Sequence, residues 1–138
     1  MTSEYTKPLP VAANPDHTQP FWDATKSHKL LLPRCNACSH SFFYPRERCP
    51  RCLSGDLSWV ESEGKGKVYS FTVIQQPVDK AFMEDIPYIY AIIQLDEGPR
   101  MISNVTDCAI EDVRIDMAVI VAFDDVTSDV TLVKFRPA

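Results

Sequence analysis

No apolar run in the chain approaches the length that spans a bilayer, and the polar start Met1-Thr-Ser-Glu-Tyr5 has no hydrophobic signal-peptide core. Both absences set the expectation of a cytoplasmic protein. Basic charge is also short: 14 Lys and Arg stand against 19 Asp and Glu, for a net charge of −5. A protein that coats nucleic acid without sequence preference needs the opposite balance, so that class is set aside. Histidine stops at His40, which leaves the unpaired Cys108 with no later histidine to activate it. Internal repeats and low-complexity tracts are missing. So is length: 138 residues hold one sizeable core and a small module, not two full domains. What remains, with 45% hydrophobic residues, is the composition of a soluble globular chain.

Cysteine is where the chain is rich. Four of its five cysteines fall between Cys35 and Cys52, as Cys35-Asn-Ala-Cys38 and Cys49-Pro-Arg-Cys52. Two C-x-x-C knuckles on either side of a short segment bring four thiolates to the corners of one tetrahedron, the arrangement that suits Zn²⁺. Pro50 and a reversal at Asn36-Ala37 suit tight metal knuckles. The competing readings are a pair of redox dithiols or a chance cluster. Four sulfur ligands leave no open position for water, so this zinc is structural rather than hydrolytic. His40 lies between the knuckles with less regular spacing and reads as a hairpin or supporting residue. Arg34, Arg46, Arg48 and Arg51 surround the site, either offsetting thiolate charge or forming a basic patch for a phosphate.

The rest of the chain follows a simple order. An arm broken by Pro8, Pro10 and Pro15 occupies residues 1–16, and Thr18 with Pro20 predicts a short helix over 19–27. That helix is too short to stand alone, so Phe21 and Trp22 are buried on the body of the chain or docked on another subunit. Lys29 to Arg34 leads extended into the first knuckle. Ser41-Phe-Phe-Tyr44 reads as a ribbon strand, and Leu57 to Glu61 as a further extended segment. After Gly64-Lys-Gly66 the pattern becomes β: strands are predicted over 67–74, 88–95, 100–105, 118–123 and 130–135. Five strands in this length favour a closed OB-type barrel, with an SH3-like barrel left open. The expected divisions are an arm and helix over 1–28, a zinc ribbon over 29–62 and a barrel over 63–138. Long connections at 75–87 and 106–117 are candidate binding loops, and Phe82 either plugs the barrel end or meets a ligand.

From Pro20-Phe-Trp22 onward the chain resembles the DUF35 family of acyl-CoA-associated zinc-ribbon/OB-fold proteins. The residues that carry this are Leu32 to Cys35 leading into the four-cysteine ribbon, Gly66-Lys-Val-Tyr-Ser-Phe-Thr-Val73, Pro87-Tyr88, Leu95-Asp-Glu-Gly-Pro-Arg100 and Met117 to Phe123. The resemblance implies a mainly β fold: a short N-terminal helix, a rubredoxin-like zinc ribbon and a five-stranded OB-fold barrel. It implies an accessory subunit, in a hetro-oligomer with a thiolase-like, aldolase or MaoC-type hydratase partner that supplies the catalytic residues. Steroid side-chain or aromatic-acid breakdown is the implied setting, and coenzyme A or acyl-CoA the implied ligand. Asp116 departs from the glycine that members often carry before the fourth barrel strand.

No catalytic residue is carried over. For the nucleotide phosphates and pantetheine arm, cations and aromatic surface near the strand ends point to Lys80 and Arg100 with Phe82 and Tyr88. The alternatives are a single-stranded nucleic-acid module, and an independent enzyme using Cys108 or Asp124-Asp125.

Overall fold

Helix formation starts at Pro15, in α1 (Pro15–Lys26), four residues before the expected 19–27. Proline at the first helical position has its φ already set, and Asp16 in the first turn suits the positive end of the helix dipole. Thr18 is therefore not the cap, and Pro20 lies inside the helix, where it withholds an amide from the Asp16 carbonyl. The helix ends in a Schellman turn. His28 takes a left-handed φ of 57°, its amide meets the Thr25 carbonyl at 2.9 Å, and the Lys29 amide meets Ala24 at 3.0 Å. This computed structural model describes residues 5–12, 15–77 and 79–138; the expectation of an irregular arm falls partly on residues 1–4 and 13–14, outside them. Residues 5–12 contain no helix or strand.

Strand β1 (Leu30–Cys35) pairs antiparallel with β2 (Leu57–Ser62), in register from Leu30 opposite Ser62 to Cys35 opposite Leu57. The metal knuckles are thus carried on the loop between two paired strands. Residues 41–44, expected as a ribbon strand, make only a single bridge, Ser41 to Arg34. The reason is that the side chains there diverge. Phe42 is buried beneath the cysteines, Phe43 leans on Phe21 at 5.3 Å between ring centres, and the Ile102 amide donates to the Tyr44 hydroxyl at 3.1 Å.

The barrel is built from β3 (Lys65–Ile74), β4 (Tyr88–Leu95), β5 (Arg100–Ser103), β6 (Ala118–Asp125) and β7 (Thr131–Pro137). Their order is β5-β4-β3-β6-β7, all antiparallel. The sheet then curls until Val105 bridges Phe135 in parallel, with Thr106 N–H to Phe135 O at 2.8 Å and Phe135 N–H to Asn104 O at 3.0 Å. That parallel return of the third barrel strand onto the fifth is the OB arrangement, and it settles the choice left open against an SH3-like barrel. A bulge between Val68 and Ser70 bends β3 so that it serves both halves of the sheet. Gly66 lies where β3 passes so close to β4 that a β-carbon would collide with the Gln94 carbonyl.

Two short 3₁₀ turns, Lys80–Asp85 and Ile110–Asp112, lie in the two long connections. Inside the barrel Val68, Ile89, Ile93, Leu95, Val119 and Phe135 are buried. Phe21 of α1 and Leu30 and Leu32 of β1 belong to the same core, so helix, ribbon base and barrel share one interior. Of the two readings for the aromatic pair, packing on the body of the chain is what Phe21 does, with Trp22 half-buried against it. Among the described residues no helix is long and apolar enough to cross a membrane.

Candidate functional site

The two knuckles have the same backbone design. In the first, the Cys35 amide donates to the His40 carbonyl and the Ser39 amide to Cys35; in the second, Cys49 donates to Ser54 and Leu53 to Cys49, all at 2.9 Å. Each turn is closed by a non-glycine residue with left-handed φ, Ser39 at 64° and Leu53 at 65°. The Arg51 amide points at the Cys49 sulfur at 3.3 Å. These turns set the Cys35 and Cys52 sulfurs 3.5 Å apart and those of Cys38 and Cys49 3.7 Å apart, with all four within 4.8 Å of one another. A Zn–S bond of about 2.3 Å gives tetrahedral edges of about 3.8 Å, so the sulfurs already sit at zinc spacing.

Ionisation of the cysteine sulfurs points the same way. Burial opposes the Cys49 thiolate, yet the amides of Cys52 and Arg51 and the neighbouring thiols bring its pKa down to about 7. For Cys52 the Ser54 amide favours the thiolate, but the Cys35 sulfur, burial and the other two sulfurs push it up to about 12. Four adjacent sulfurs cannot all ionise without a cation among them, which is the charge a divalent metal supplies. His40 is not in the sulfur cluster; its ring stacks on Phe42, and its carbonyl closes the first knuckle. Arg48 braces the second knuckle by donating to the Leu53 carbonyl at 3.2 Å.

The second site is a cavity of about 890 Å³ where arm, helix, ribbon and barrel meet. Its aromatic walls come from every part of the chain: Tyr5 of the arm, Phe21 and Trp22 of α1, Phe43 and Tyr44 of the ribbon, and Phe82, Tyr88 and Tyr90 of the barrel. Alternation along β4 puts Tyr88 and Tyr90 on the outer face while Ile89 and Ala91 enter the core. Lys7 reaches Asp85 at 2.7 Å; that hydrogen bond raises the lysine pKa against the opposing effect of burial. Lys134 is paired with Asp124 at 2.8 Å. Cys108 also lines the wall, and burial, then the Asp112 and Asp107 carboxylates, push its thiol pKa up.

Of the four residues expected to meet coenzyme A, the structure brings Phe82 and Tyr88 together on this cavity. Lys80 is exposed at the start of its 3₁₀ turn, away from the walls. Arg100 is exposed on β5, with its guanidinium 3.7 Å from the centre of the Tyr69 ring. Sequence reasoning passed over Tyr5, Lys7 and Tyr90. The period-two pattern Tyr88-Ile89-Tyr90 was the available signal for Tyr90; nothing local marks an arm residue as a cavity wall. Another missed contact ties the helix end to the barrel: His28 Nε2 lies 2.9 Å from Asp125, and its ring stacks on Phe123.

Comparison with known proteins follows the same division. Residues 22–58 match the ChsH2 rubredoxin-like zinc ribbon domain, and residues 59–124 the ChsH2 C-terminal OB-fold domain. The chain is 35% identical, over 99% of its length, to a probable enoyl-CoA hydratase alpha subunit of Thermomonospora curvata, but spans only 44% of that relative. A DUF35 domain-containing scaffold protein of Methanocaldococcus jannaschii is 38% identical over 78% of this chain and 77% of its own. The solved Ltp2-ChsH2(DUF35) aldolase contains a chain of TM-score 0.82 and 32% identity, covering 94% of this protein and 98% of that chain. With both domain models in sequence and the fold matched almost end to end, this chain belongs to the DUF35 family of zinc-ribbon/OB-fold proteins.

Proposed function

We propose that the protein is a noncatalytic accessory subunit of an acyl-CoA-processing complex, bracing a catalytic partner of the thiolase, aldolase or hydratase kind and helping to hold the CoA ester. The observation that carries this reading is a large aromatic cavity in a chain that also holds a closed sulfur cluster, with no nucleophile–base pair among the described residues lining the cavity. Cys108 is the thiol on the cavity wall, its pKa is raised, and no histidine is among the described residues that line the cavity. A four-sulfur zinc centre offers no position for substrate, and its work is to hold the ribbon in shape. The names of the relatives, hydratase alpha subunit, scaffold and aldolase, support a role beside a catalytic chain. In this reading Phe82 and Tyr88 give apolar contact, and Lys80 and Arg100, both exposed and outside the cavity wall, are the cations assigned to the phosphates. Steroid or aromatic-acid breakdown in the cytoplasm is the setting that we infer.

The test is purification from the native host, identification of any companion chain by mass spectrometry, and turnover assays on the single chain and the assembly. The expected result is a hetero-oligomer in which acyl-CoA turnover requires the partner. Turnover by the rigorously purified single chain overturns the accessory role.

A further inference from the structure

The cavity has a chemistry more specific than its size. Among the described residues no arginine lines it, and the two lysines that do are already paired, Lys7 with Asp85 and Lys134 with Asp124. Two polar side chains on its barrel wall are also turned into the fold. Asn104 donates to the Ile89 carbonyl at 2.7 Å, and Ser103 donates to the Val133 carbonyl at 2.8 Å. A nucleotide diphosphate would find no unpaired lysine or arginine among the described residues of the lining, and an apolar body would find aromatic rings on several sides. The mouth is apolar as well: Tyr44, Tyr90 and Ile102 are 46%, 43% and 44% exposed. At about 890 Å³ the space suits a ligand of drug-like or acyl-chain dimensions.

One side of this space is closed by residues of the arm. Tyr5, Lys7 and Val11 all line it, and the Lys7–Asp85 pair fastens the arm to the 3₁₀ turn that also carries Phe82. The lysine also lies 5.9 Å from the Tyr5 ring centre. We propose that this cavity binds the uncharged, apolar body of a ligand, and that arm residues 5–12 act as a strap latched by Lys7 and Asp85. The proposal deepens the accessory-subunit reading by assigning to this cavity the apolar end of an acyl ester and leaving its nucleotide end outside the cavity.

The probes are dodecan-1-ol for a flexible chain, decahydro-2-naphthol for a fused-ring body, and adenosine 3′,5′-bisphosphate for the nucleotide end. Each is titrated into the full chain carrying Trp59→Phe, so that Trp22 on the cavity wall reports occupancy. Either alcohol altering Trp22 emission saturably supports the site and tells chain from ring; the bisphosphate leaves the emission unchanged. Ile102→Trp, a substitution at the exposed mouth that need not disturb the core, weakens alcohol binding by about tenfold. Lys7→Glu speeds release by about threefold, the scale of one partly exposed ion pair, and Lys7→Glu with Asp85→Lys restores it.

Saturation by neither alcohol, displacement of a bound alcohol by the bisphosphate, or full affinity in a folded, zinc-loaded Ile102→Trp protein overturns the cavity assignment. Unchanged release in Lys7→Glu overturns the strap. These failures are separate from that of the accessory role: an active hetero-oligomer whose cavity binds nothing keeps the role and removes the site. Alcohol binding by a chain with no partner keeps the site and removes the role.

Discussion

A methyl group at position 66 has nowhere to go, because β3 brings that backbone against the Gln94 carbonyl and a carbonyl in a paired strand cannot swing aside. Gly66→Ala is expected to cost about 1–3 kcal/mol, read as a lower denaturation midpoint with unchanged zinc content. Asp125 makes a different kind of contribution. The Thr131 hydroxyl at 2.6 Å and then His28 hold its carboxyl below the ordinary 3.8. A depressed folded value means that the contribution is complete above 3.8 and fades as the pH falls toward and through the folded value. Wild type is therefore expected to lose its advantage over Asp125→Asn in that acid range, which urea melts at stepped pH would show. Legibility varied sharply among such residues. The cysteines declared themselves by spacing alone. His28 carries two contacts that no local pattern marks, since Asp125 and Phe123 lie about a hundred positions away.

Elements were legible wherever periodicity alone decides them. The alternation that predicted 88–95 is the observed β4, while β3 began two residues early and β6 ran two residues longer. Where side chains diverge the pattern misled, as at Ser41–Tyr44, whose aromatic content imitates a strand although each ring has a separate destination. The ribbon itself is an element held by its metal. Cys35→Ser is expected to lose zinc and unfold the knuckles, and Cys108→Ser to keep full occupancy, as measured by metal analysis and by protease sensitivity of residues 35–52. Equal zinc loss in both variants would remove the four-cysteine assignment.

At the scale of the molecule, the barrel does not end where its strands end. Phe21 is only 6% exposed and belongs to the same interior as Ile93 and Phe135. Phe21→Ala is expected to cost about 3 kcal/mol in the isolated chain, measured by denaturant melts, whatever it does to assembly. A substitution that weakened assembly without lowering stability would instead place Phe21 at an interface. Composition and strand count were enough to suggest a five-stranded barrel. They were not enough to show that helix, ribbon and arm together wall a cavity, because that depends on tertiary meetings between segments with no shared sequence signal.

The parallel bridge from Val105 to Phe135 also sets a timetable. A ribosome delivers the chain from its N-terminus, and both ribbon strands with all four cysteines are complete once residue 62 has emerged. The barrel cannot close until residue 135 has followed. In the interval β3, β4 and β5 form an open meander whose Ile89, Ile93 and Val105 have no strand to cover them. The metal knuckles are thus an early anchor and the barrel a late one. The nascent chain exposes the apolar face of that open meander while its zinc-binding segment is already complete.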